Sequence, residues 1–390
     1  MKPAPHVAIV GAGAFGGWTA LHLLRRGARV TLLDAWGPGN SRASSGGETR
    51  IIRGVYGDDR VYVEWVARAF ELWREAEARW GRRFFRRTGA LWMCGADDSY
   101  VRDSLPHLKA AGLPIAEVSP REAAELYPQI DFGGVESVFF ELEAGYLLAR
   151  QACQAVAEAV VAEGGEVRLL AAAPGPFRDG RIERLELSDG SLLQADIYLF
   201  ACGPWLGDLF PEVIGERFLQ VTRQEVFFFG VPPGDPRFSE AGCPIWLDLG
   251  ERIFYGIPGN EHRGFKVADD SRGEPFDPTD GDRLPTPAAL AEARALLARR
   301  FPALVGAPVV ETRVCQYENS PDGHFLFDRH PHAENVWLLG GGSGHGFKLG
   351  PALGEYAAEI LLADAASLDL FTLDRPAHAS GGAMKTQFDG

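Results

Sequence analysis

The sequence has few cysteines, and none of them shows the paired spacing that marks a metal or redox site. Five cysteines are scattered through 390 residues without a C-x-x-C pair. Zinc sites and disulfide frameworks need such clustering, so we predict neither a metal site nor a disulfide framework. Scattered single cysteines are typical of a reducing compartment, and we therefore expect the protein in the cytoplasm.

Long apolar runs and an excess of positive charge are also missing. No stretch of about 18 uninterrupted apolar residues occurs, so no membrane span is expected. The chain carries 39 lysines and arginines against 53 aspartates and glutamates, a net charge of −14 at pH 7. This sign disfavours nucleic acid and anionic membranes as partners. Residues 1–6 run straight into an apolar pattern, and we expect no signal peptide.

Residues 7–34 have the pattern of a dinucleotide-binding βαβ unit. An apolar run at residues 7–10 predicts a buried strand, and residues 11–16 (GAGAFG) fit G-x-G-x-x-G. A helical pattern and a second strand follow, and Asp34 at the end of that strand is placed to accept hydrogen bonds from a ribose diol. The first glycine permits a tight turn, the second a close pyrophosphate and the third close helix packing. The alternative is an ordinary glycine-rich turn, and the motif alone does not choose between NAD and FAD.

A second glycine-rich loop lies near the other end of the chain. Residues 340–346 follow a predicted strand and precede a predicted helix, as the first loop does. Their backbone N–H groups, with the helix dipole, form a second site for negative charge. A flavin uses two such loops, one for its pyrophosphate and one for the electron-rich edge of its ring. The pair therefore favours FAD, the alternative being a turn whose glycines only allow packing.

The length and the order of the patterns predict two domains. We predict an α/β fold whose Rossmann-like FAD-binding domain is formed by residues 1–87, 148–216 and 325–376. Residues 88–147 and 217–324, where β patterns predominate, predict a substrate domain with a mostly antiparallel sheet and flanking helices. We expect residues 377–390 to form a flexible tail.

Four motifs carry a resemblance to a known family. They are residues 11–16, residues 48–53 (ETRIIR), Cys315 with Tyr317, and residues 343–348 (SGHGFK). Together they resemble monomeric sarcosine oxidase and N-methyltryptophan oxidase, of the glycine/D-amino acid oxidase superfamily. The resemblance runs nearly end to end and implies a monomeric flavoenzyme. It implies that a secondary or cyclic amine carrying a carboxylate gives hydride to FAD, leaving an imine, and that O2 is reduced to H2O2.

The resemblance also assigns roles to the charged residues. Arg53 and Lys348 match the pair that binds the substrate carboxylate, and Arg50 matches a residue packed against the flavin. Lys266 matches a lysine that promotes reaction with oxygen, a task that suits a cation near developing negative charge. Cys315 matches the cysteine to which FAD is covalently attached. For each of these, a surface charge or an inert buried thiol remains the alternative.

Aromatic residues and the loops complete the predicted site. Tyr255 and Tyr317 match walls of the substrate cavity, although either would also suit an ordinary core. The residues that we predict to bind the cofactor are Gly11, Gly13, Ala14, Phe15, Gly16, Asp34, Ala35, Ser44, Thr49, Arg50, Val167, Cys202, Gly203, Trp205, Cys315, Gly342, Gly344, His345, Gly346 and Lys348.

The substrate pocket departs from the family pattern. Ser45 and Gly46, which directly precede residues 47–50 (GETR), replace a pair of histidines of the family. Asp270 stands where sarcosine oxidase has a cavity histidine, and Trp246 appears at the position of a cavity methionine. Asp270 favours a substrate with an extra cationic or hydrogen-bond-donating group, or helps to deprotonate the amine. We therefore do not expect sarcosine to be the best substrate.

Two other functions remain open at this point. A flavin-dependent dehydrogenase or biosynthetic desaturase passes its electrons to an acceptor other than O2. A non-catalytic flavin-binding protein has no turnover, but the joint presence of Arg53, Lys266 and Lys348 argues against it.

Overall fold

The structure, a computed structural model, describes residues 3–250, 252–271 and 273–375, without the side chains of Glu216 and Arg217. The predicted tail, residues 377–390, lies outside the described residues. The described helices are α1 (Ala14–Arg25), α2 (Arg60–Trp80), α3 (Ser99–Ala110), α4 (Pro120–Leu126), α5 (Ala149–Ala162), α6 (Leu206–Leu209), α7 (Gly215–Phe218), α8 (Pro287–Arg300) and α9 (Gly350–Ala363).

The strands are short, apart from two that form one edge of the larger sheet. They are β1 (His6–Val10), β2 (Arg29–Leu33), β3 (Thr49–Ile52), β4 (Phe85–Arg86), β5 (Ala90–Cys94), β6 (Ile115–Val118), β7 (Ser137–Glu141), β8 (Gly145–Leu148), β9 (Glu166–Arg168), β10 (Ala172–Pro174), β11 (Phe177–Arg178), β12 (Arg181–Ile182), β13 (Leu185–Leu187), β14 (Leu192–Leu193), β15 (Ile197–Phe200), β16 (Gln220–Phe229), β17 (Ile245–Leu249), β18 (Ile253–Ile257), β19 (Phe265–Asp269), β20 (Val309–Asn319), β21 (Leu326–Arg329) and β22 (Val336–Gly340).

The first sheet is a mostly parallel, Rossmann-like sheet in the order β21-β22-β15-β1-β2-β9. Its pairs are parallel except for the edge strand β21, which runs antiparallel to β22. Strand β1 is buried along its whole length because both faces of the sheet are covered. Val7 and Ile9 pack in a core with residues of α1, α5 and α9, whereas Ala8 and Val10 pack on the opposite face.

The second sheet has eight strands in the order β20-β16-β19-β18-β17-β5-β7-β6. Its pairs are antiparallel except β17 with β5. Side chains alternate along each strand, so the sheet has two different faces. Phe227 and Phe265 lie on the face that forms a second core with α8. Val226 and Ala268 lie on the other face, together with Tyr255. The two sheets confirm the predicted α/β fold class, while the domain boundaries stay a prediction.

Two strands near the site were not predicted as strands. The sequence pattern does not indicate a strand at β3. Strand β20 extends over eleven residues where the sequence predicts no continuous strand. Their polar and charged residues hide the alternation, because several of these side chains pair within the protein instead of facing water. Arg313, for example, forms ion pairs with Glu48 and Glu311. Pairing with β16 along its whole length stabilises β20 despite this composition.

The structure corrects the prediction that Trp246 lies in the substrate pocket. Trp246 is fully buried in the second core, where its ring stacks on Phe265 at 6.0 Å between ring centres. The neighbouring Leu247 points to the opposite face of the sheet, as strand alternation requires. Gly256 lies directly across from Trp246 on β18. A Cβ atom at Gly256 would lie 2.1 Å from the indole ring, so this packing requires a glycine.

No helix within the described residues is long and apolar enough to cross a membrane. This agrees with the missing apolar run in the sequence.

We predict that Gly256→Ala lowers the free energy of unfolding by about 3 kcal/mol, because the added methyl group overpacks the core around Trp246. Thermal unfolding of the natural chain and of Gly256→Ala under identical conditions measures the effect. Gly95→Ala is the matched control, since a Cβ there meets nothing closer than an oxygen atom at 3.7 Å. Equal melting temperatures for all three proteins would contradict this account of the core.

Candidate functional site

A cavity of about 330 Å³, the first cavity, opens where the strands of the first sheet end. Its walls come from the turns that follow β1, β2, β15 and β22, together with residues of β20. In open α/β sheets, ligands bind in a crevice at the carboxyl ends of the parallel strands. The fold therefore places the two glycine-rich loops, which lie at opposite ends of the sequence, around one cavity.

The turn after β1 has the geometry that a pyrophosphate needs. Gly11 has a φ of +107°, and a Cβ there would lie 2.2 Å from the carbonyl oxygen of Ala201. Helix α1 then begins without a side-chain cap at Gly13, although the N–H of Ala14 donates to Ser45 Oγ at 3.1 Å. An uncapped helix start beside a cavity offers backbone N–H groups and a positive dipole end to an anion.

Asp34 ties the two neighbouring turns together. One carboxylate oxygen accepts from the N–H of Ala12 at 2.8 Å, and the other accepts from the N–H groups of Trp36 and Gly37. Burial raises the pKa of Asp34, while these three hydrogen bonds act in the opposite direction. The carboxylate is therefore held at the rim of the cavity, as its predicted role at a ribose requires.

Most of the predicted cofactor-binding residues line the first cavity. These are Gly11, Gly13, Ala14, Phe15, Asp34, Ala35, Ser44, Arg50, Cys202, Gly203, Trp205, Gly342, Gly344 and Gly346.

Of the six remaining predicted cofactor-binding residues, three line neither this cavity nor the second cavity described below. Gly16 lies behind the wall, where it allows α1 to pack against the turn. Val167 does not line the cavity, because strand β9 turns its side chain towards the first core. Thr49 is buried behind the wall, and its hydroxyl group has no hydrogen-bond partner among the described residues.

A smaller second cavity, of about 70 Å³, lies next to the first. The two share part of their lining, since Arg50, Tyr317 and Gly344 belong to both. The second cavity lies against the face of the larger sheet that carries Tyr255 and Ala268. The predicted residues that line it are Arg50, Arg53, Tyr255, Asp270, Cys315, Tyr317, Gly344, His345 and Lys348.

Two buried cations reach the second cavity from opposite ends of the sequence. The side chains of Arg53 and Lys348 belong to residues that are only 5% and 3% exposed. The guanidinium of Arg53 donates to the carbonyl of Val55, and Lys348 Nζ donates to the carbonyl of His345 at 3.1 Å. Both cations lie 4.9 Å from the ring centre of Tyr56. Together they form a buried positive site for an anionic group.

Asp270 lies in the same cavity, facing these cations. Its carboxylate accepts a hydrogen bond of 2.7 Å from the hydroxyl of Tyr317. Burial raises the pKa of Asp270, while Tyr317, Arg53 and Lys348 act to lower it. The pKa of Tyr317 is also raised, first by burial and then by the Asp270 charge. The cavity thus holds a carboxylate and two cations within one small volume.

Lys266 does not line either cavity but lies just behind the shared wall. Its ammonium donates to the carbonyl of Thr49 at 3.1 Å and lies 5.4 Å from the ring centre of Tyr255. Burial, together with the nearby charge of Arg50, lowers the pKa of Lys266 to about 7. Near neutral pH this side chain is therefore present in both the charged and the neutral form.

Cys315 stands where the two cavities meet. Its sulfur lies 3.3 Å from a guanidinium nitrogen of Arg50, which also donates to the carbonyl of Ser44 at 2.7 Å. The residue is half-buried and lines the second cavity, while its neighbour Gln316 lines the first. The thiol therefore lies next to a fixed cation, close to the lining of both cavities.

Sequence reasoning missed residues that the strand alternation brings to the site. Leu247 and Gln224 line the second cavity, and Glu318 lines the first. Had β20 been recognised as a strand, its alternation would have placed Cys315 and Tyr317 on one side, and Gln316 and Glu318 on the other. Trp36 also lines the first cavity, and it directly follows the predicted Asp34 and Ala35.

Comparison with known proteins gives matches along nearly the whole chain. Residues 6–360 match the family described as DAO, FAD dependent oxidoreductase. The monomeric sarcosine oxidase of Streptomyces avermitilis is 30% identical over 369 residues, covering 93% of this chain and 94% of that protein. The N-methyl-L-tryptophan oxidase of Salmonella heidelberg is 29% identical over 377 residues, covering 94% and 98%.

Solved structures share the fold. The crystal structure of L-proline dehydrogenase from P. horikoshii matches with a TM-score of 0.81 at 21% sequence identity. The match covers 95% of this chain and 96% of that one.

Proposed function

This chain belongs to the DAO family of FAD-dependent oxidoreductases, as its motifs predicted, and we propose that it oxidises a secondary or cyclic amine carrying a carboxylate. The observation that supports this function is the second cavity. There the buried cations Arg53 and Lys348 lie near Asp270, beside a wall that the second cavity shares with the first cavity. A substrate whose carboxylate is held by the cations would place its α-carbon close to that wall.

The residues of the first cavity fit FAD. The positive φ of Gly11 and the uncapped start of α1 suit a pyrophosphate, and Asp34 lines the cavity one turn away. Gly342 and Gly344 bring the second glycine loop to the same cavity. Bound FAD would supply the two-electron acceptor for the amine and the route from there to O2, with an imine and H2O2 as the products.

The side chains of this chain then have separate tasks. Arg53 and Lys348 bind and orient the carboxylate, as a guanidinium fork and a point charge. Tyr255 and Tyr317 form aromatic sides of the cavity and exclude water from it. Asp270 provides a proton acceptor close to the substrate amine, which must be neutral before it gives up hydride.

The same geometry supports covalent attachment of FAD at Cys315. This thiol lies at the junction of the two cavities with a guanidinium of Arg50 beside it.

We predict that acid precipitation leaves the yellow colour in the protein pellet of the natural chain and moves it to the supernatant for Cys315→Ala. The reason is that only a covalent bond survives denaturation. Cys202→Ala, which removes a thiol that lines the first cavity, is the matched control and should keep its colour in the pellet. A natural chain that releases its flavin on denaturation would refute the attachment.

Asp270 supports a narrower substrate class. Its carboxylate lies in the small cavity in which Arg53 and Lys348 would bind the substrate carboxylate, and it accepts a hydrogen bond from Tyr317. A second cation on the substrate would then find Asp270 as its partner, which a neutral N-methyl side chain does not need. We therefore propose an amine with a carboxylate and an additional cationic or hydrogen-bond-donating group.

Three related N-methyl amines test both ends of this cavity. The first lacks a carboxylate, the second adds a carboxylate, and the third adds a side-chain ammonium as well. We predict that the natural chain binds them with increasing affinity, measured by anaerobic bleaching of the flavin. Lys348→Met should lower the gain in affinity from the first amine to the second by a factor of about ten to a hundred. Asp270→Asn should remove a gain of similar size between the second and third.

Exposed residues of α3 provide matched controls for these variants. Lys109→Met and Asp103→Asn change the same charges away from both cavities and should leave the three affinities unchanged. A natural chain that binds the amine without a carboxylate as well as the others would overturn the carboxylate site. Bleaching by none of the amines offered would favour a flavin-binding protein without turnover.

The pH dependence of the two half-reactions should have opposite signs. Flavin reduction is expected to rise from about pH 6 to about pH 9, because the amine must lose its proton. Reoxidation by O2 should fall as the pH rises above about 7, where Lys266 loses the proton that gives it charge. Lys266→Met should slow reoxidation about a hundredfold and abolish its pH dependence, with little effect on reduction. Stopped-flow absorbance measures both steps.

Lys109→Met is the matched control for this experiment as well. If the natural chain reduces its flavin rapidly but reacts with O2 no faster than Lys266→Met, a dehydrogenase or desaturase with another electron acceptor is the better assignment. Flat reduction rates across the same pH range would contradict the need for a neutral amine.

We further propose a monomer in the cytoplasm. Size-exclusion chromatography with light scattering tests the oligomeric state, and cell fractionation tests the compartment.

A further inference from the structure

Glu318 is a buried carboxylate that points into the first cavity and has no part in the function proposed above. It lies near the end of β20 and is 7% exposed. Its two oxygens reach the two sides of the cavity. A Cβ at Gly203 would lie 2.9 Å from Oε2, and one at Gly342 would lie 2.9 Å from Oε1. The carboxyl group therefore lies between the turn after β15 and the second glycine loop.

The protein itself satisfies this carboxyl group poorly. The N–H of Gly342 and the hydroxyl of Ser44 donate to it over 3.4 Å, which is long for a hydrogen bond to a carboxylate. Among the described residues it forms no ion pair, whereas Asp248, which is buried in the second core, pairs with Arg299 and Arg300. Burial raises the pKa of Glu318 to about 7. Such a group remains costly until a ligand or a proton satisfies it.

The cofactor brings further negative charge into this cavity. The pyrophosphate of FAD is anionic, and Asp34 and Asp208 already line the same walls. An ionised Glu318, which is itself buried and forms no ion pair among the described residues, would repel this charge. A protonated carboxyl group has no charge and offers an O–H donor to an oxygen or nitrogen atom of the cofactor.

We propose that Glu318 binds FAD as the neutral carboxylic acid, donating a hydrogen bond to the cofactor, so that FAD binding takes up one proton above neutral pH. The inference depends on FAD binding but not on the amine substrate or on attachment at Cys315. The proton comes from solvent and stays on Glu318 while FAD is bound, and no bond of the cofactor changes.

Other titratable groups near the cavity have to be separated from Glu318. Lys266 lies behind the wall, and burial lowers its pKa to about 7, so it titrates in the same range. Burial raises the pKa of Asp208 and of Cys202. The charged and titratable groups that face the cavity or lie behind its walls are Asp34, Arg42, Arg50, Cys202, Asp208, Lys266, Tyr317, His345 and Lys348.

The test measures FAD affinity as a function of pH in the full-length chain carrying Cys315→Ala, so that binding stays reversible. Quenching of flavin fluorescence gives the Kd from about pH 6 to about pH 9. We expect the Kd to rise about tenfold per pH unit above about pH 7, because each bound FAD then requires one proton. Titration calorimetry in two buffers of different ionisation enthalpy should show about one proton taken up per FAD at the upper end of this range.

Glu318→Gln is isosteric and permanently neutral, so it should bind FAD with a Kd that does not vary with pH and with no proton uptake. At high pH it should bind FAD more tightly than the parent chain. Lys266→Met and Asp208→Asn, made in the same background, are the controls and should keep the full pH dependence.

Several outcomes would overturn the inference. An affinity that rises with pH and is weakened by Glu318→Gln would mean that the ionised carboxylate accepts hydrogen bonds from FAD. A pH dependence that disappears in Lys266→Met or Asp208→Asn would assign the proton to those residues. Tight FAD binding that is flat with pH in the parent chain would refute this inference alone, and no FAD binding at any pH would also refute the cofactor.

Discussion

Buried charge is the constraint on which the site depends. Arg53, Lys266 and Lys348 are all nearly excluded from solvent, in a region where an unpaired charge is costly. Carbonyl oxygens and the faces of tyrosine rings limit that cost. The ring of Tyr56 lies close to two of the three cations, Arg53 and Lys348. Asp270 adds a negative charge near Arg53 and Lys348, so the site combines buried charges of both signs.

The larger sheet decides which residues can take part. One of its faces has to be apolar because it forms a core with α8, and only the other face is available for chemistry. Strand alternation then sorts neighbouring residues without regard to their type. It places Leu247 on the cavity side and Trp246 in the core, and it separates Tyr317 from Glu318. The two cavities meet at Arg50 and Tyr317 because the strand that carries the tyrosine passes between them.

Much of the fold was predictable, and the reason is local. A tight glycine turn between an apolar strand and a helix needs particular residues in consecutive positions, so residues 11–16 indicated their own structure. Ser119 and Glu122 form a capping box at the start of α4, which is the structure that a serine followed three residues later by a glutamate predicts. Thr286 caps α8. Strand β20 was missed because its stability comes from pairing with β16, which lies about ninety residues away and leaves no local pattern. The same gap hid Glu318, and only the packing of β9 shows where the side chain of Val167 points.

The sequence by itself determined where the two glycine-rich turns lie and predicted a dinucleotide site there, because close backbone approach is possible only where side chains are absent. It also supplied the motifs by which the family was recognised. The tertiary structure alone decided that these loops line one cavity and that Arg53 and Lys348 lie beside Asp270. It also decided that Lys266 lies behind the wall, where burial lowers its pKa to about 7. Distances and burial between residues far apart in the chain are set by packing, and charge states follow from burial, so neither can be read from residue order.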